Sequence, residues 1–243
     1  MRAFLTTNIV HVRYLSGFKG SSGAILISKD KNVFITDFRY QNEAGMELTG
    51  IPWELSIERG DRLRMIKKLI SDLGIRTLGF ETGVSYEFFK GLSQCGARLR
   101  PLAGVVEALR SIKDHGEIRS IREAVRRAEE AFLDVKPYIR PGRTEQEIAL
   151  MLEARLKKRG CNHLPFDIIV ASGSNSAMPH AKASDKKLSS GELLVLDWGG
   201  ESDGYYSDMT RTFLLRGQGS LRRRPADDIS RKEELYRIVY SAN

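Results

Sequence analysis

Apolar residues along this chain fall into two rhythms. In the first hundred residues they come as short runs. Ala24-Ile-Leu-Ile27 and Val33-Phe-Ile-Thr36 flank Ser-Lys-Asp-Lys-Asn, which predicts a hairpin. Residues 38–48 are helix-like. Over residues 60–73, Leu63, Ile66, Leu69, Ile70 and Leu73 form one helical stripe, and Gly74 stops it. Thr77 to Phe80 and the stretch near Leu99 to Leu102 read as strands on either side of a short helix, Tyr86 to Leu92. This alternation predicts an α/β domain with a central sheet.

The rhythm changes near residue 111. From Asp114 to Val135, apolar residues at 118, 121, 125, 128, 132 and 135 predict a long amphipathic helix. Its charges, among them Arg122, Glu123, Arg126, Arg127 and Glu130, suit a solvated face with i,i+4 pairs. Pro137 and Pro141-Gly142 end it. Thr144-Glu-Gln-Glu147 is a capping box for a second helix carrying Ile148, Met151, Leu152 and Leu156, stopped by Gly160. A strand over Asp167 to Ala171 and a Gly/Ser/Asn-rich loop to Met178 follow. A helix is expected over Lys232 to Ala242. The domain boundary is placed near 110, giving 1–110 and 111–243.

Between these last segments lies the most informative pattern. Glu192-Leu-Leu-Val-Leu-Asp197-Trp198 leads into Gly199-Gly200-Glu201-Ser202-Asp203-Gly204, and Tyr205-Tyr-Ser-Asp208-Met-Thr-Arg-Thr-Phe-Leu-Leu215 leads out. Two strands and a turn are predicted. A turn centred between Ser202 and Asp203 sets Asp197 opposite Asp208. The unbroken run Leu193 to Leu196 predicts a strand buried on both faces. Alternation puts Asp208, Thr210 and Thr212 on one face of the second strand, and Met209, Arg211 and Phe213 on the other.

Two carboxylates facing each other repel unless a cation or a shared proton lies between them. A carboxylate ending a buried strand costs several kcal/mol without a partner. The pair therefore reads as half of a metal site with hard oxygen ligands, with Thr210 as hydrogen-bonding support. The competing reading is two solvated turn-edge acids separated by a bulge.

Composition narrows the picture. The 243 residues are 41% hydrophobic and 29% charged, as in ordinary globular proteins. No apolar run approaches a membrane span. The start has no sustained apolar region of a signal peptide. Cys95 and Cys161 fit no metal or redox spacing, which suits a reducing cytoplasm. The net charge of +8 raises nucleic-acid binding. Its best local support, Arg222-Arg223-Arg224, lacks interleaved aromatic residues, so no nucleic-acid partner is expected.

With these residues in view, the chain resembles the Xaa-Pro aminopeptidase, prolidase and creatinase group of pita-bread metallopeptidases. Leu196-Asp197-Trp-Gly-Gly followed by Gly204-Tyr-Tyr-Ser-Asp208-Met-Thr210-Arg-Thr-Phe213 is close to that family's metal-ligand hairpin. Pro165-Phe-Asp-Ile-Ile-Val-Ala-Ser-Gly173 with Met178-Pro-His180 is similar to the strand and loop that bring a histidine to the pocket. Ala108-Leu-Arg-Ser-Ile-Lys113 with Glu117-Ile118 looks like the entry to the catalytic domain. Arg13-Tyr-Leu-Ser-Gly-Phe18 and Thr36-Asp-Phe-Arg-Tyr40 look like the creatinase-type N-terminal domain.

The resemblance implies an α/β creatinase-like domain followed by the first half of an α+β pita-bread domain. It implies a peptidase acting on peptides with proline in the second position and a homodimer. It also implies two divalent ions, Mn²⁺ or Co²⁺, held in part by Asp197 and Asp208. Asp197 would use both oxygens and Asp208 would bridge. His180 would contact substrate or relay a proton; read on its own, it is more simply a loop histidine that hydrogen-bonds nearby backbone. Family members add a later His and two Glu. No histidine follows His180 here, so a truncated chain or a degenerate relative is expected, with weak metal binding and little peptidase activity. The other expectation is a non-catalytic binding or dimerisation module derived from the same family.

Overall fold

The computed structural model describes residues 2–50 and 52–215. The expected helix over Lys232 to Ala242 and the arginines at 222–224 lie outside the described residues. Two compact units divide the chain, Met1–Lys113 and Asp114–Asn243.

In the first unit the order is β1 (Arg2–Thr6), α1 (Ile9–Ser16), β2 (Ala24–Ser28), β3 (Asn32–Asp37), α2 (Gln41–Glu47), β4 (Glu54–Glu58), α3 (Arg62–Asp72), β5 (Thr77–Glu81), α4 (Tyr86–Leu92), β6 (Arg98–Leu102) and α5 (Val105–Ser111). The strands form one mixed sheet ordered β4-β3-β2-β1-β5-β6. β2 and β3 make the expected antiparallel hairpin. β5 runs parallel to both β1 and β6. The chain builds outward from β1 in one direction, then crosses to build in the other. Leu26, Val33, Ile35, Leu78 and Phe80 pack with Ile66 and Ile70 of α3 in the main core. The predicted stripe of α3 is thus the face that meets the sheet. β1, α1, β4 and α5 carry no comparable signal. In α1, for example, His11 and Arg13 interrupt the apolar positions, and the helix is fixed by Asn8, whose side chain accepts from Val10 N.

In the second unit α6 (His115–Val135) and α7 (Glu145–Lys158) pack against a sheet of β7 (Ile169–Ser172), β8 (Leu193–Trp198) and β11 (Met209–Leu214), ordered β11-β8-β7. A small ribbon, β9 (Glu201–Ser202) with β10 (Tyr205–Tyr206), extends the β8–β11 hairpin. Both helices start in capping boxes, at Asp114/Glu117 and Thr144/Glu147.

The buried stripe of α6 differs from the expected one. Ala124, Ala128, Ala131 and Val135 are its buried residues, whereas Ile118, Ile121 and Val125 are only half-buried. The hairpin explains the shift. A Cβ placed on Gly200 would sit 2.3 Å from the backbone oxygen of Ala124. The hairpin backbone therefore lies against α6, and only methyl-sized side chains fit between. Trp198 closes the contact, donating from Nε1 to Ala128 O at 3.0 Å and stacking on Phe132 at 5.0 Å. Because the obstruction is backbone, Gly200→Ala is expected to cost about 2–3 kcal/mol. Urea unfolding of the second unit measures this, and a loss below about 0.5 kcal/mol would contradict the close approach.

Candidate metal centre

The β8–β11 register departs from the sequence expectation. Asp197 pairs with Thr210, and Met209 with Trp198; Asp208 is not directly opposite Asp197. The cause is the turn. It is centred on Asp203-Gly204, both with positive φ (50° and 77°), the geometry that two-residue hairpin turns favour. Gly204 takes it without strain. The turn thus falls one residue later than expected, and the pairing slides by two.

A slide of two keeps the pleat in phase. Trp198, Met209 and Phe213 face the core, and Asp197 and Thr210 share the opposite face. Asp208, two residues before Thr210, becomes a diagonal neighbour of Asp197, at about 7–8 Å between backbones. The two carboxylates still feel each other: burial, first, and then the charge of Asp208 raise the pKa of Asp197 above the ordinary carboxylate value. Thr210 opposes the rise, donating from Oγ1 to Asp197 Oδ1 at 3.0 Å.

The expectation that β8 is buried on both faces is also corrected. Leu194, Leu196 and Trp198 are buried, while Val195 and Asp197 are half-buried and Leu193 is 52% exposed. An apolar run cannot distinguish a covered face from an open one when the side chains on both are leucine or valine. The open face carries the carboxylates.

His180 lies in an exposed turn that follows a 3-10 turn, Gly173–Ala177. Its ring has no hydrogen-bond partner among the described residues. The loop holding it is anchored by a residue that the sequence reading missed. Glu145 opens α7, has no exposed surface, and receives five donors. Ser172 N and Oγ reach Oε1 at 2.7 and 2.8 Å. Ser184 N and Oγ reach Oε2 at 3.2 and 2.6 Å. Asn175 Nδ2 spans both oxygens. The carboxylate thus pins both ends of the segment that carries His180. A glutamate in a capping sequence reads as an exposed first-turn acid. The signal that points elsewhere is the Ser/Asn richness of the loops it holds.

The donor set suits a hard divalent cation in kind, since Asp197 and Asp208 share a face and burden each other electrostatically. In number it falls short of enclosing one. Among the described residues no three His, Cys, Asp or Glu side chains converge as a metal site. No helix among them is long and apolar enough to cross a membrane.

Comparisons with known proteins identify the family. Residues 1–112 match the creatinase/prolidase N-terminal domain, and residues 119–243 match metallopeptidase family M24. An uncharacterized peptidase of Bacillus subtilis, YqhT, is 38% identical over 98% of this chain and 65% of its own length. The Xaa-Pro dipeptidase of Pyrococcus horikoshii is 29% identical, over 99% of this chain and 64% of its own. A solved Xaa-Pro dipeptidase from Bacillus anthracis superposes with a TM-score of 0.87 at 37% identity, covering 99% of this chain and 65% of that one. The chain thus spans just under two thirds of the relatives it matches. Its architecture is a creatinase-like α/β domain followed by the first half of a pita-bread domain. By its sequence and its fold, the chain belongs to metallopeptidase family M24.

Proposed function

We propose that this chain carries the aspartate-hairpin half of a metal-dependent peptidase that removes the residue preceding proline at a peptide N-terminus. The observation that supports this most is the pair Asp197 and Asp208 on the open face of one hairpin, with Thr210 holding the first. The names of the relatives support the substrate class. Asp197 and Asp208 would hold the divalent ions, two of them and Mn²⁺ or Co²⁺ by family pattern, with oxygen donors compatible with Mn²⁺. Ions of this kind polarise a scissile carbonyl and lower the pKa of bound water. Thr210 holds the Asp197 carboxylate through one lone pair of Oδ1, so that both oxygens can still face the cation. His180, on its exposed turn, would meet substrate or carry a proton. The unpaired Cys95 and Cys161 suit a reducing, cytoplasmic setting.

Titrating Mn²⁺ while following thermal unfolding tests the reading, because a ligand that binds only the native state raises its melting temperature. We expect a rise that needs high Mn²⁺, since this chain brings two carboxylates to the hairpin. Asp208→Ala abolishes it. Hydrolysis of Xaa-Pro dipeptides by the 243-residue chain is expected to be slight. A second reading is favoured by the lack of a third converging ligand among the described residues: a non-catalytic module that dimerises through its first unit. No thermal response to Mn²⁺, together with a dimer in sedimentation, would select it.

A further inference from the structure

The first unit has a crevice of its own, at the carboxyl ends of the parallel strands β1, β5 and β6. Strand order reverses direction at β1 and β5, the kind of place where open α/β sheets take ligands. The crevice has a volume of about 330 Å³, at the lower end of small-molecule sites. Its polar side is built around a buried histidine. His11 on α1 is 2% exposed, and its Nδ1 lies 2.5 Å from Glu81 Oε1 at the end of β5. Thr6, at the end of β1, donates to the other oxygen of Glu81 at 2.6 Å. Both Glu81 oxygens are therefore engaged, and the carboxylate fixes the ring's orientation and tautomer. With the Nδ1 hydrogen given to Glu81, Nε2 presents a lone pair.

Among the described residues, Nε2 faces only Glu107 Oε1, at 3.8 Å. That is beyond hydrogen-bond reach, and two acceptors do not satisfy each other in any case. No Lys or Arg is among the residues lining the crevice, and Val84, Phe88 and Leu102 form its apolar wall. An acceptor on a buried ring, open to the crevice, and a carboxylate aimed at the same space call for a group rich in donors and positive in charge. An ammonium has three donors and no acceptor.

We propose that this crevice binds a small primary amine in its protonated form, its ammonium between His11 Nε2 and Glu107 and its short apolar tail along Val84, Phe88 and Leu102. The ammonium gives one hydrogen to the ring, one to the carboxylate and one to water. The binding uses only groups of the first unit and does not depend on the aspartate hairpin.

The test is NMR titration of the whole chain with n-butylamine and, separately, with size-matched n-butanol, at fixed pH and ionic strength with EDTA present. The His11 ring resonances and the Phe88 amide are read. A saturable shift with the amine and none with the alcohol is expected. Glu107→Gln should weaken the amine about tenfold, the effect of losing one charge-assisted hydrogen bond. Glu107 is 56% exposed, so this variant folds as the parent does. Absence of a saturable shift with n-butylamine overturns the proposal. So does an equal response to n-butanol, which would mean a merely apolar crevice, or an unchanged affinity in Glu107→Gln.

Discussion

Asp197→Asn is expected to raise the metal-free melting temperature of the second unit and, at the same time, to erase its response to Mn²⁺. Burial and the neighbouring Asp208 both disfavour the ionised form of Asp197 in the folded state. A carboxylate whose folded pKa is raised favours folding most below its unfolded value. That advantage is lost as pH rises through the folded value. At pH 7 the parent protein has therefore lost it, and the asparagine, which never ionises, has not. The amide oxygen still accepts from Thr210, so the hydrogen bond at 3.0 Å survives. Asp197 is half-buried, and after discounting for solvent screening the gain is below about 1 kcal/mol, or roughly 2–4 °C. The cost appears with metal. A hundredfold excess over Kd stabilises the parent by about 2.7 kcal/mol, and the variant gains nothing. Thermal unfolding with EDTA and with saturating Mn²⁺ measures both halves. A variant less stable than the parent in EDTA, or one that keeps the Mn²⁺ shift, would remove the physical basis for the metal centre.

Glu145→Ala is expected to be the most damaging single change, at about 3–5 kcal/mol. The hydroxyls of Ser172 and Ser184 can turn to new partners. The backbone N–H groups of Ser172 and Ser184 cannot, and each buried donor left unmatched costs about 1–3 kcal/mol. Glu145→Gln repairs little, because its NH₂ would face a ring of donors. Burial pushes the Glu145 pKa up, but the hydrogen bonds from Ser184, Ser172 and Asn175 outweigh it and hold the pKa below its usual 4.5. Its stabilising contribution is therefore full above that value and fades as pH falls through the depressed one. The deficit of the alanine variant is accordingly largest at neutral pH and shrinks in acid. Urea unfolding at pH 7 and at mildly acidic pH tests the sign, and proteolysis within residues 173–183 reports release of the His180 loop. A deficit that grows in acid would contradict the assigned role.

Legibility in the sequence followed the strength of local signals. The helix stops at Gly74 and Gly160, the Thr144/Glu147 capping box and the β2–β3 hairpin were readable because each is set by a few adjacent residues. The partition of α6 was not. Which stripe is buried depends on Gly200 pressing against Ala124 from far along the chain, and that forces small residues inward over larger ones. At the site, the two aspartates and Thr210 were legible as a group sharing one face. Their pairing was not, because Ser202-Asp203 and Asp203-Gly204 both look like turns, and only the left-handed backbone of the latter decides. Glu145 was invisible because its partners come from three separate stretches, and no short-range pattern distinguishes a buried acid from a capping one.

The Asp203-Gly204 turn has a consequence for how this hairpin tolerates change in length. The pleat repeats every two residues, so the connection between β8 and β11 can gain or lose residues in matched pairs and still present both acids to the same side. A single-residue insertion there has one outcome if no bulge absorbs it: Asp208 rotates toward α6 and a core side chain such as Met209 rotates out into solvent.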